Sequence, residues 1–560
     1  MHRIYFIVAM ILVVLVEKLI VWQSIPSLAQ SSSDVCSRPN AGDFASSPPL
    51  VRSKIGKLDA TFVLRNFGGE RFCLLYNGKV QSPTLWVEPG DTVVLRVKNE
   101  VNNSAVSSEE HHHPSGQLLN PCSGANAASS PLRTNLHFHG LNIPPTCHGD
   151  DVLGTVIPSG STFEYRFKIP ANEPPGLYWY HPHPHGLSEK QVLGGATGAL
   201  VVRGIEKVNP AVRGLPEQLL VLRDLELHGE TIKKGTRLCA DQEESTRPGK
   251  DISLNFVPIT FPANKPARLH LGLNERQFWR VLNASADTYF DMQLRYDGKP
   301  QGIGVVAIDG VPTRKDDVGR AYPVTLPATH VLLPPGSRAE FMVKGPSKLV
   351  RDARLLTLAY DSGPDGDCDP ERVLARIDTH QQRNHSTMPI AGAGEQSVQS
   401  MRFSKISAMK PVRTRRLYFS ENNDQGEFFI TEDRSGNQPK VYNPFFSQPD
   451  ITVHQGTVED WIIENRSRES HVFHIHQIHF QVIAHNNKPV DDVVMRDTID
   501  VPFWDGKRAS YPSVKLRMDF RDPEITGTFV YHCHILEHED GGMMGTIEVR
   551  PNTPTSSKIP

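Results

Sequence analysis

Apolar and polar positions in this chain follow the alternation of short β-strands rather than the longer period of helices. Residues 87–97 contain β-branched and apolar side chains on either side of a Pro-Gly pair. Residues 176–180 are likewise strand-forming, and Ile169-Pro170 and Gly176 bound them. Strand-forming residues bounded by glycine and proline are typical of short strands. Long stretches of helical periodicity are scarce. The pattern therefore predicts an all-β protein.

The strand pattern also repeats within the chain. A glycine is followed nine residues later by an asparagine and then by a His-x-His pair, and this order occurs twice. The two copies are Gly90, Asn99, His137 and His139, and Gly456, Asn465, His474 and His476. Residues 279–283 resemble a middle copy that no histidine pair follows. We therefore predict three related β-barrels, of which the middle one lacks metal ligands.

Domain boundaries follow from the repeat and from local composition. A Gln/His/Ser-rich stretch at 379–400 indicates a linker between the second and third units. The expected organisation is a signal peptide or uncleaved anchor at 1–29, a first domain at 50–205, a second at 206–385, a linker at 386–409 and a third domain at 410–551.

The N-terminal segment predicts export. Residues 4–16 form an apolar run, Glu17 and Lys18 interrupt it, residues 19–22 continue it, and Ser27-Leu28-Ala29 resembles a cleavage site. Because no twin arginine is present, a Sec-type signal and a secreted or periplasmic protein are expected. The alternative is an uncleaved membrane anchor, since the segment approaches the ~20 residues that span a bilayer.

Charge and cysteine content narrow the function classes. The chain has 560 residues and a net charge of −2, which gives no electrostatic case for nucleic-acid binding. Of seven cysteines, six could form three disulfides in fifteen possible connectivities, or two disulfides with two free thiols. These six are Cys36, Cys73, Cys122, Cys147, Cys239 and Cys368. No Cys-x-x-Cys is present, so zinc and thioredoxin-like sites receive no support.

The seventh cysteine, Cys533, lies in the most distinctive motif. A histidine flanks it on each side, and His538 and Met543 follow five and ten residues later. Two imidazoles, a thiolate and a weak axial thioether make a type 1 copper site. On an extended strand, Cys533 faces one metal and the flanking histidines face others. Met544 is the alternative axial ligand, but in an extended segment it would point the other way.

Further histidine clusters supply ligands for a second copper centre. Each His-x-His presents two imidazoles on one face of a strand, and imidazole suits copper. A single pair is a weak signal, and the run at 111–113 is expected to be a solvated loop in a polar insert. The candidate ligands are His137, His139, His181, His183, His471, His474, His476, His532, His534, His538, Cys533 and Met543.

These motifs, in this order, resemble those of the multicopper oxidases, the family of laccases, bacterial cuprous oxidases and ferroxidases, over about residues 58–550. The resemblance implies three tandem cupredoxin-like Greek-key β-barrel domains and four copper ions. It implies type 1 ligands His471, Cys533, His538 and Met543, type 2 ligands His137 and His474, and type 3 ligands His139, His181 and His534 on one copper and His183, His476 and His532 on the other. Because both outer domains supply ligands, the cluster is expected at their interface. His185 is expected not to be a ligand.

The resemblance also implies the reaction. A reductant gives one electron to the type 1 copper, nearest the imidazole edge of His538 or, as second choice, of His471. Cys533 passes the electron to the flanking histidines, and dioxygen is reduced by four electrons to two waters.

Four-electron reduction consumes four protons, so a carboxylate relay near the cluster is expected. Glu539 resembles a glutamate found there in bacterial members. Asp150 resembles an aspartate found near the type 2 copper, with Asp151 as the alternative.

The reductant is the least determined part. A laccase-like oxidase of phenols and aromatic amines is the prediction, and oxidation of Cu(I), Fe(II) or Mn(II) is the alternative. Only 11 methionines are present, without a cluster beyond Met543-Met544, which disfavours a dedicated cuprous oxidase. A structural cupredoxin that has lost its copper is disfavoured because the ligand set is complete, and a copper-storage protein would bind copper without oxygen turnover. A two-domain nitrite reductase would be shorter and would lack the histidines beside Cys533. We expect a monomer with a small-molecule or metal-ion reductant and O2 as partners, and membrane association only if the N-terminal segment stays uncleaved.

Overall fold

The computed structural model describes residues 36–67, 71–102, 122, 130–231, 248–259, 265–313, 325–379, 402–444 and 448–552. The side chains at 225–231 and 248–250 are not described. The predicted signal segment at 1–29, the histidine run at 111–113, Cys239 and most of the predicted linker lie outside these residues.

Three pairs of β-sheets follow one another along the chain. The first pair contains β1 (Leu50–Arg52), β2 (Lys57–Phe67), β3 (Arg71–Tyr76), β4 (Val80–Gln81), β5 (Thr84–Val87), β6 (Thr92–Asn99), β7 (His137–His139), β8 (Thr162–Lys168), β9 (Gly176–His181) and β10 (Gly198–Val202). The second contains β11 (Glu217–Thr231), β12 (Pro248–Leu254), β13 (Val257–Ile259), β14 (Ala267–His270), β15 (Arg276–Asn283), β16 (Phe290–Tyr296), β17 (Lys299–Pro300), β18 (Ile303–Ile308), β19 (Val311–Pro312), β20 (Leu326–Ala328), β21 (Val331–Leu333), β22 (Arg338–Lys344), β23 (Ala353–Leu358) and β26 (Arg372–Asp378). Between β23 and β26, β24 (Tyr360–Asp361) and β25 (Cys368–Asp369) form a separate two-stranded sheet. The third contains β27 (Arg413–Asn422), β28 (Glu427–Glu432), β29 (Ile451–His454), β30 (Thr457–Asn465), β31 (His471–Ile475), β32 (Phe480–His485), β33 (Lys488–Pro489), β34 (Met495–Arg496), β35 (Thr498–Val501), β36 (Ser513–Phe520), β37 (Gly527–Cys533) and β38 (Met544–Arg550).

Helices are short in the described part of the chain. They are α1 (Ser188–Leu193), α2 (Ile205–Val208) and α3 (Leu536–Asp540), with 3-10 turns at Pro210–Val212, Ile406–Ala408 and Pro523–Ile525. Among the described residues, none of these helices has the length and apolar character to cross a membrane. The predicted all-β class of cupredoxin-like barrels is thus confirmed.

The same strand order recurs in all three sheet pairs. One sheet of each pair contains the order β3-β2-β6-β8, β12-β11-β15-β22 or β28-β27-β30-β36. In each order the middle two strands are parallel, and their outer neighbours pair with them in antiparallel fashion. Each pair of sheets encloses its own apolar core. The structure therefore contains three copies of one sandwich topology.

One asparagine marks the equivalent position in each copy. Asn99, Asn283 and Asn465 each accept a hydrogen bond at Oδ1 from the backbone N–H two residues later. Their Nδ2 groups each donate to two carbonyl oxygens of segments later in the chain. An asparagine that bonds its own backbone two residues on makes a compact turn. The internal repeat therefore reflects a shared loop anchor, present also in the middle copy that lacks histidines.

Strand register brings the histidine motifs together. In the first sheet pair His137 lies opposite His181 on neighbouring strands, and in the third His474 lies opposite His532. Alternation buries the intervening Phe138 in the apolar core. The imidazoles consequently face away from the cores of their own domains.

Candidate copper centres

Cys533 ends β37 with its thiol between two imidazoles. Its Sγ lies 3.7 Å from Nδ1 of His471 and 3.7 Å from Nδ1 of His538, and these two nitrogens are 3.0 Å apart. Imidazole and thiolate bind first-row metals at about 2.0 and about 2.3 Å, which gives a nitrogen–sulfur separation of about 3.6 Å around one ion. All three residues are buried, and Cys533 is the free cysteine of the described residues. The three atoms thus fit a single metal position.

The two methionines after this motif differ in placement. Met543 is fully buried and belongs to the same apolar cluster as Cys533. Its backbone carbonyl accepts a hydrogen bond from the Cys533 amide, with N and O 3.0 Å apart. Met544 begins β38 opposite His532 and lies outside that cluster. Met543 is therefore the better placed axial ligand.

The other eight candidate histidines form a second, fully enclosed group. Nε2 of His532 lies 3.4 Å from Nε2 of His183 and 3.2 Å from Nε2 of His476. Nitrogens about 2.0 Å from one metal ion lie about 3.3–3.5 Å apart, so this trio fits one ion. It is also the trio that the family resemblance assigns to one type 3 copper.

The remaining five imidazoles pack beside that trio. His139 stacks on His474 with ring centroids 3.9 Å apart, and the ring centroids of His181 and His534 lie 5.8 and 5.0 Å from that of His139. His137 stacks on His476 at 3.7 Å. Close sets of ligand atoms also join His137 with His139 and His181, and His137 with His474 and His476. The group therefore offers several neighbouring metal positions.

Hydrogen bonds leave nitrogen atoms available inside this group. Nδ1 of His137, His181, His474 and His532 lies within 2.8–2.9 Å of an oxygen acceptor. A donating Nδ1–H puts the free lone pair on Nε2, which is the tautomer that binds a metal. Several imidazole nitrogens here are buried without any hydrogen-bond partner. These are Nε2 of His137, His181 and His474, Nδ1 of His139 and His476, and both nitrogens of His534. Buried nitrogens without partners are costly unless a ligand satisfies them, so the group fits bound copper.

Burial keeps these histidines uncharged. Desolvation, reinforced by neighbouring imidazoles, holds the pKa of His137, His183 and His476 well below the usual range. Burial also lowers the pKa of His474, to about 4. Neutral imidazole is the metal-binding form, so the site is ready for a cation at neutral pH.

Asp150 contacts the cluster and Asp151 does not. Oδ2 of Asp150 accepts from Nδ1 of His137 at 2.8 Å and from Nε2 of Gln477 at 2.5 Å. Burial raises the pKa of Asp150 to about 7. Asp151 instead accepts from the backbone N–H of Gly154. Of the two aspartates considered, Asp150 is thus the one beside a candidate type 2 ligand.

Glu539 lies on α3 behind the trio described above. One carboxylate oxygen lies 3.2 Å from Nδ1 of His532, and the other lies 3.5 Å from Nδ1 of His183. Burial and the neighbouring Asp540 raise the pKa of Glu539 well above its usual range. The carboxyl therefore lies between the outer nitrogens of two candidate ligands of one copper.

Several polar residues around the sites carry no signal in the sequence pattern. Oε2 of Glu469 lies 3.4 Å from Nε2 of His538, and Oε2 of Glu421 lies 3.8 Å from Nε2 of His471. Asp497 contacts His139 and is paired with Arg338. These residues belong to no His or Cys motif, so proximity in the fold is what reveals them.

Two further histidines and one disulfide lie near the cluster. His185 packs edge-on against Tyr442, with ring centroids 5.0 Å apart, apart from the eight histidines. His479, which the sequence reasoning did not single out, is buried with Nε2 2.9 Å from the carbonyl oxygen of Asp309. Cys122 and Cys147 form a disulfide, and Cys147 lies three residues before Asp150 in the chain.

The chain is similar to known proteins along most of its length. Two multicopper oxidase family profiles match residues 125–207 and 411–553, which contain all the candidate ligands. A multicopper oxidase of Staphylococcus aureus is 24% identical over 85% of this chain and 83% of its own length. A laccase of Bacillus subtilis is 22% identical over 85% and 89%. The solved structure of a multicopper oxidase from Campylobacter jejuni, described as a metallo-oxidase, is 25% identical and covers 92% of this chain and 96% of its own, with a TM-score of 0.62. The family profiles, the relatives and the solved structure, together with the ligand geometry, all support a multicopper oxidase family for this chain.

Proposed function

We propose that this chain is a four-copper oxidase that couples one-electron oxidation of a reductant to the reduction of O2 to water. The end of β37 supports this most strongly. Cys533 Sγ contacts His471 and His538, whereas the preceding His532 contacts His476 on the opposite face. One continuous piece of backbone thus joins the two groups of candidate ligands, as electron transfer between them requires.

Bound copper would supply the one-electron and four-electron redox chemistry. The protein residues hold the ligands and supply protons. Reduction of one O2 takes four electrons and four protons and yields two waters. Glu539 and Asp150 are the carboxyls that could hold a proton beside the cluster, because burial raises the pKa of both.

Copper content and oxygen uptake test this proposal. Copper-loaded protein should contain four copper ions per chain, show a blue absorbance and consume one O2 for every four electrons supplied, without hydrogen peroxide. Tight copper binding without oxygen uptake would instead indicate copper storage and would reject the oxidase proposal.

Phenols and aromatic amines are the first class of reductant. Phe428 stacks on the face of the His538 imidazole with ring centroids 4.3 Å apart, so an aromatic side chain already lies beside this candidate ligand. Glu469, 3.4 Å from Nε2 of His538, could accept the proton that a phenol loses with its electron.

A metal ion is the second candidate, and one observation favours it. Glu469 and Glu421 place carboxylate oxygens beside the outer nitrogens of both type 1 imidazoles. Burial and Glu469 raise the pKa of Glu421 to about 7. A nearby cation would relieve the repulsion between these carboxylates, which is the environment that a divalent metal prefers.

Parallel oxygen-uptake assays with 2,6-dimethoxyphenol and with Fe(II) separate the two candidates. If the metal ion is the substrate, Glu469→Gln should raise KM for Fe(II) about tenfold while the phenol KM stays nearly constant. A larger effect on the phenol would favour the laccase assignment. Glu548→Gln, on a strand of the same domain, is the matched control and should change neither KM.

A further inference from the structure

A buried arginine of the middle sheet pair contacts both outer domains. Arg338 begins β22 and is fully buried. Its Nε donates to the carbonyl oxygen of Leu177 in β9 at 3.2 Å. Its Nη1 and Nη2 donate to the two carboxylate oxygens of Asp497 at 2.7 and 2.6 Å. Arg338 therefore links the first domain to the third at one point.

Asp497 in turn contacts candidate ligands from both outer domains. Its Oδ1 lies 3.2 Å from Nε2 of His139, and its backbone carbonyl oxygen lies 2.8 Å from Nδ1 of His474. Nδ1 of His139 and Nε2 of His474 are left without a hydrogen-bond partner. Asp497 thus determines which nitrogen of each imidazole is free for a metal.

Two glycines leave room for this arrangement. Gly140, directly after His139, has φ +86°, and a Cβ there would lie 2.4 Å from Nη2 of Arg338 and 2.7 Å from Oδ2 of Asp497. Gly336 has φ +84°, and a Cβ there would lie 2.7 Å from Nε2 of His534. The backbone at Gly140 therefore packs directly against the Arg338–Asp497 pair, and the backbone at Gly336 packs directly against His534 of the histidine group.

We propose that Arg338 is a positioning residue for the trinuclear copper cluster, and that the middle domain, which supplies none of the candidate ligands, acts on the cluster through it. The guanidinium fixes both oxygens of Asp497 at once, and the carboxylate so held orients His139, while the adjoining backbone orients His474. Lysine would keep the charge but cannot reproduce this paired donation. The inference rests on the proposed copper sites.

Arg338→Lys tests this inference in the copper-loaded, full-length protein. The blue absorbance of the type 1 copper should persist, because Arg338 is not among the residues found in contact with that site. The electron paramagnetic resonance signal of the type 2 copper should shift or weaken, and bound copper should fall below four ions per chain. Turnover should fall about tenfold or more, as for other changes in residues that orient metal ligands.

Arg223→Lys is the matched control. Arg223 is also a buried arginine of the middle sheet pair, but it donates to Thr197 and lies over the Phe256 ring. Arg223→Lys should lower the melting temperature without changing the type 2 signal. An unchanged type 2 signal in Arg338→Lys, or an equal loss of type 1 and type 2 copper in both variants, would overturn the proposal.

If Arg338→Lys does not fold, Asp497→Asn takes its place. Asparagine keeps an acceptor of similar size but removes the charge that holds the guanidinium. The same selective change at type 2 copper is expected, and its absence would overturn the inference. A wild-type protein that binds no copper would instead reject the proposed function itself.

Discussion

At the scale of single residues, hydrogen bonds to the outer imidazole nitrogens decide which nitrogens can bind copper. Oδ2 of Asp150 and the backbone carbonyl oxygens of Asp497, Pro182 and Cys533 each lie within 2.9 Å of an Nδ1 atom. Two of these acceptors are backbone groups of the histidine motifs themselves. Two of the four imidazoles are therefore oriented by backbone groups of their own motifs. The other two are oriented by Asp150 and Asp497, which folding brings to them.

Replacing the thiol should remove electron entry without unfolding the protein. Cys533→Ser keeps a small side chain at a fully buried position, so the fold should remain. The blue absorbance should vanish and oxygen uptake should fall to background, because a hydroxyl is a poor copper ligand compared with a thiolate. Absorbance, copper analysis and circular dichroism check this outcome. Oxidase activity that survives the change would contradict the electron route.

Glu539→Gln should slow turnover while all copper is retained. The amide fills the same space between His183 and His532 but cannot carry the proton. A loss of general acid function of this kind lowers kcat by about 10²-fold or more. Steady-state kinetics with copper analysis measures it. Glu537→Gln, at an exposed position of the same helix, is the control. Loss of copper in Glu539→Gln would instead show that Glu539 holds the copper ligands in place and would contradict its role as a proton donor.

At the scale of strands and helices, register brings the candidate ligands together. The sequence alone predicted that Cys533 and its neighbours face opposite ways, because strand alternation is a local property. It also predicted the His-x-His pairs and the three repeats, which are local as well. The residues that orient the ligands could not be predicted, because Arg338 and Asp497 are 159 residues apart in the chain. Their contact exists only once strands of different sheets pack.

A tyrosine–aspartate contact joins the middle and third sheet pairs. The hydroxyls of Tyr289 and Tyr360 each donate to Oδ1 of Asp500 at 3.1 Å, and the two rings stack at 4.2 Å. Burial raises the pKa of Asp500 from 3.8 to about 6, although both hydroxyls favour its charged form. Asp500 should therefore carry a proton in the folded protein at a pH where the unfolded chain has lost it.

This shift should make stability fall as pH rises. Between about pH 4 and pH 6 the folded state binds the proton and the unfolded state does not, so the Asp500 contribution is lost across that interval. Two pKa units correspond to about 3 kcal/mol. Calorimetry of copper-free protein should show wild type losing stability relative to Asp500→Asn as pH rises from 4 to 6, with a constant difference above about 7. Asp424→Asn, at an exposed position, should show no such trend. A difference independent of pH would contradict the assignment.

At the scale of the whole molecule, the candidate cluster joins the two ends of the fold. The first sheet pair supplies His137, His139 and His181, with His183 just beyond a strand. The third supplies His474 and His532, with His476 and His534 just beyond the same strands. Bound copper would therefore crosslink two domains that are far apart in sequence. The two domains also meet without metal: the Asp540 carboxylate accepts hydrogen bonds from the backbone N–H groups of Gly186, Ser188 and Glu189.

Removal of copper should loosen this junction. A ligand that binds only the folded state adds about 2.7 kcal/mol at one hundred times its Kd. Chelated protein should melt at a lower temperature and become cleavable by proteases near the junction. His474→Ala should lose most of the copper-dependent gain, whereas His185→Ala should keep it. Equal melting temperatures with and without copper would show that the metals do not link the domains.

Because the histidines of the first sheet pair leave the ribosome long before Cys533, a growing chain holds only half of a reaction centre. Until the last strands are made, any copper captured by the early histidines would lack a thiolate to feed it and the imidazoles that complete its cage. An unfinished or truncated product should therefore lack the four-electron oxidase reaction, because neither electron entry through the thiolate nor the complete set of imidazoles is present. Division of the centre between the two ends of the polypeptide thus acts as a completeness check on each molecule.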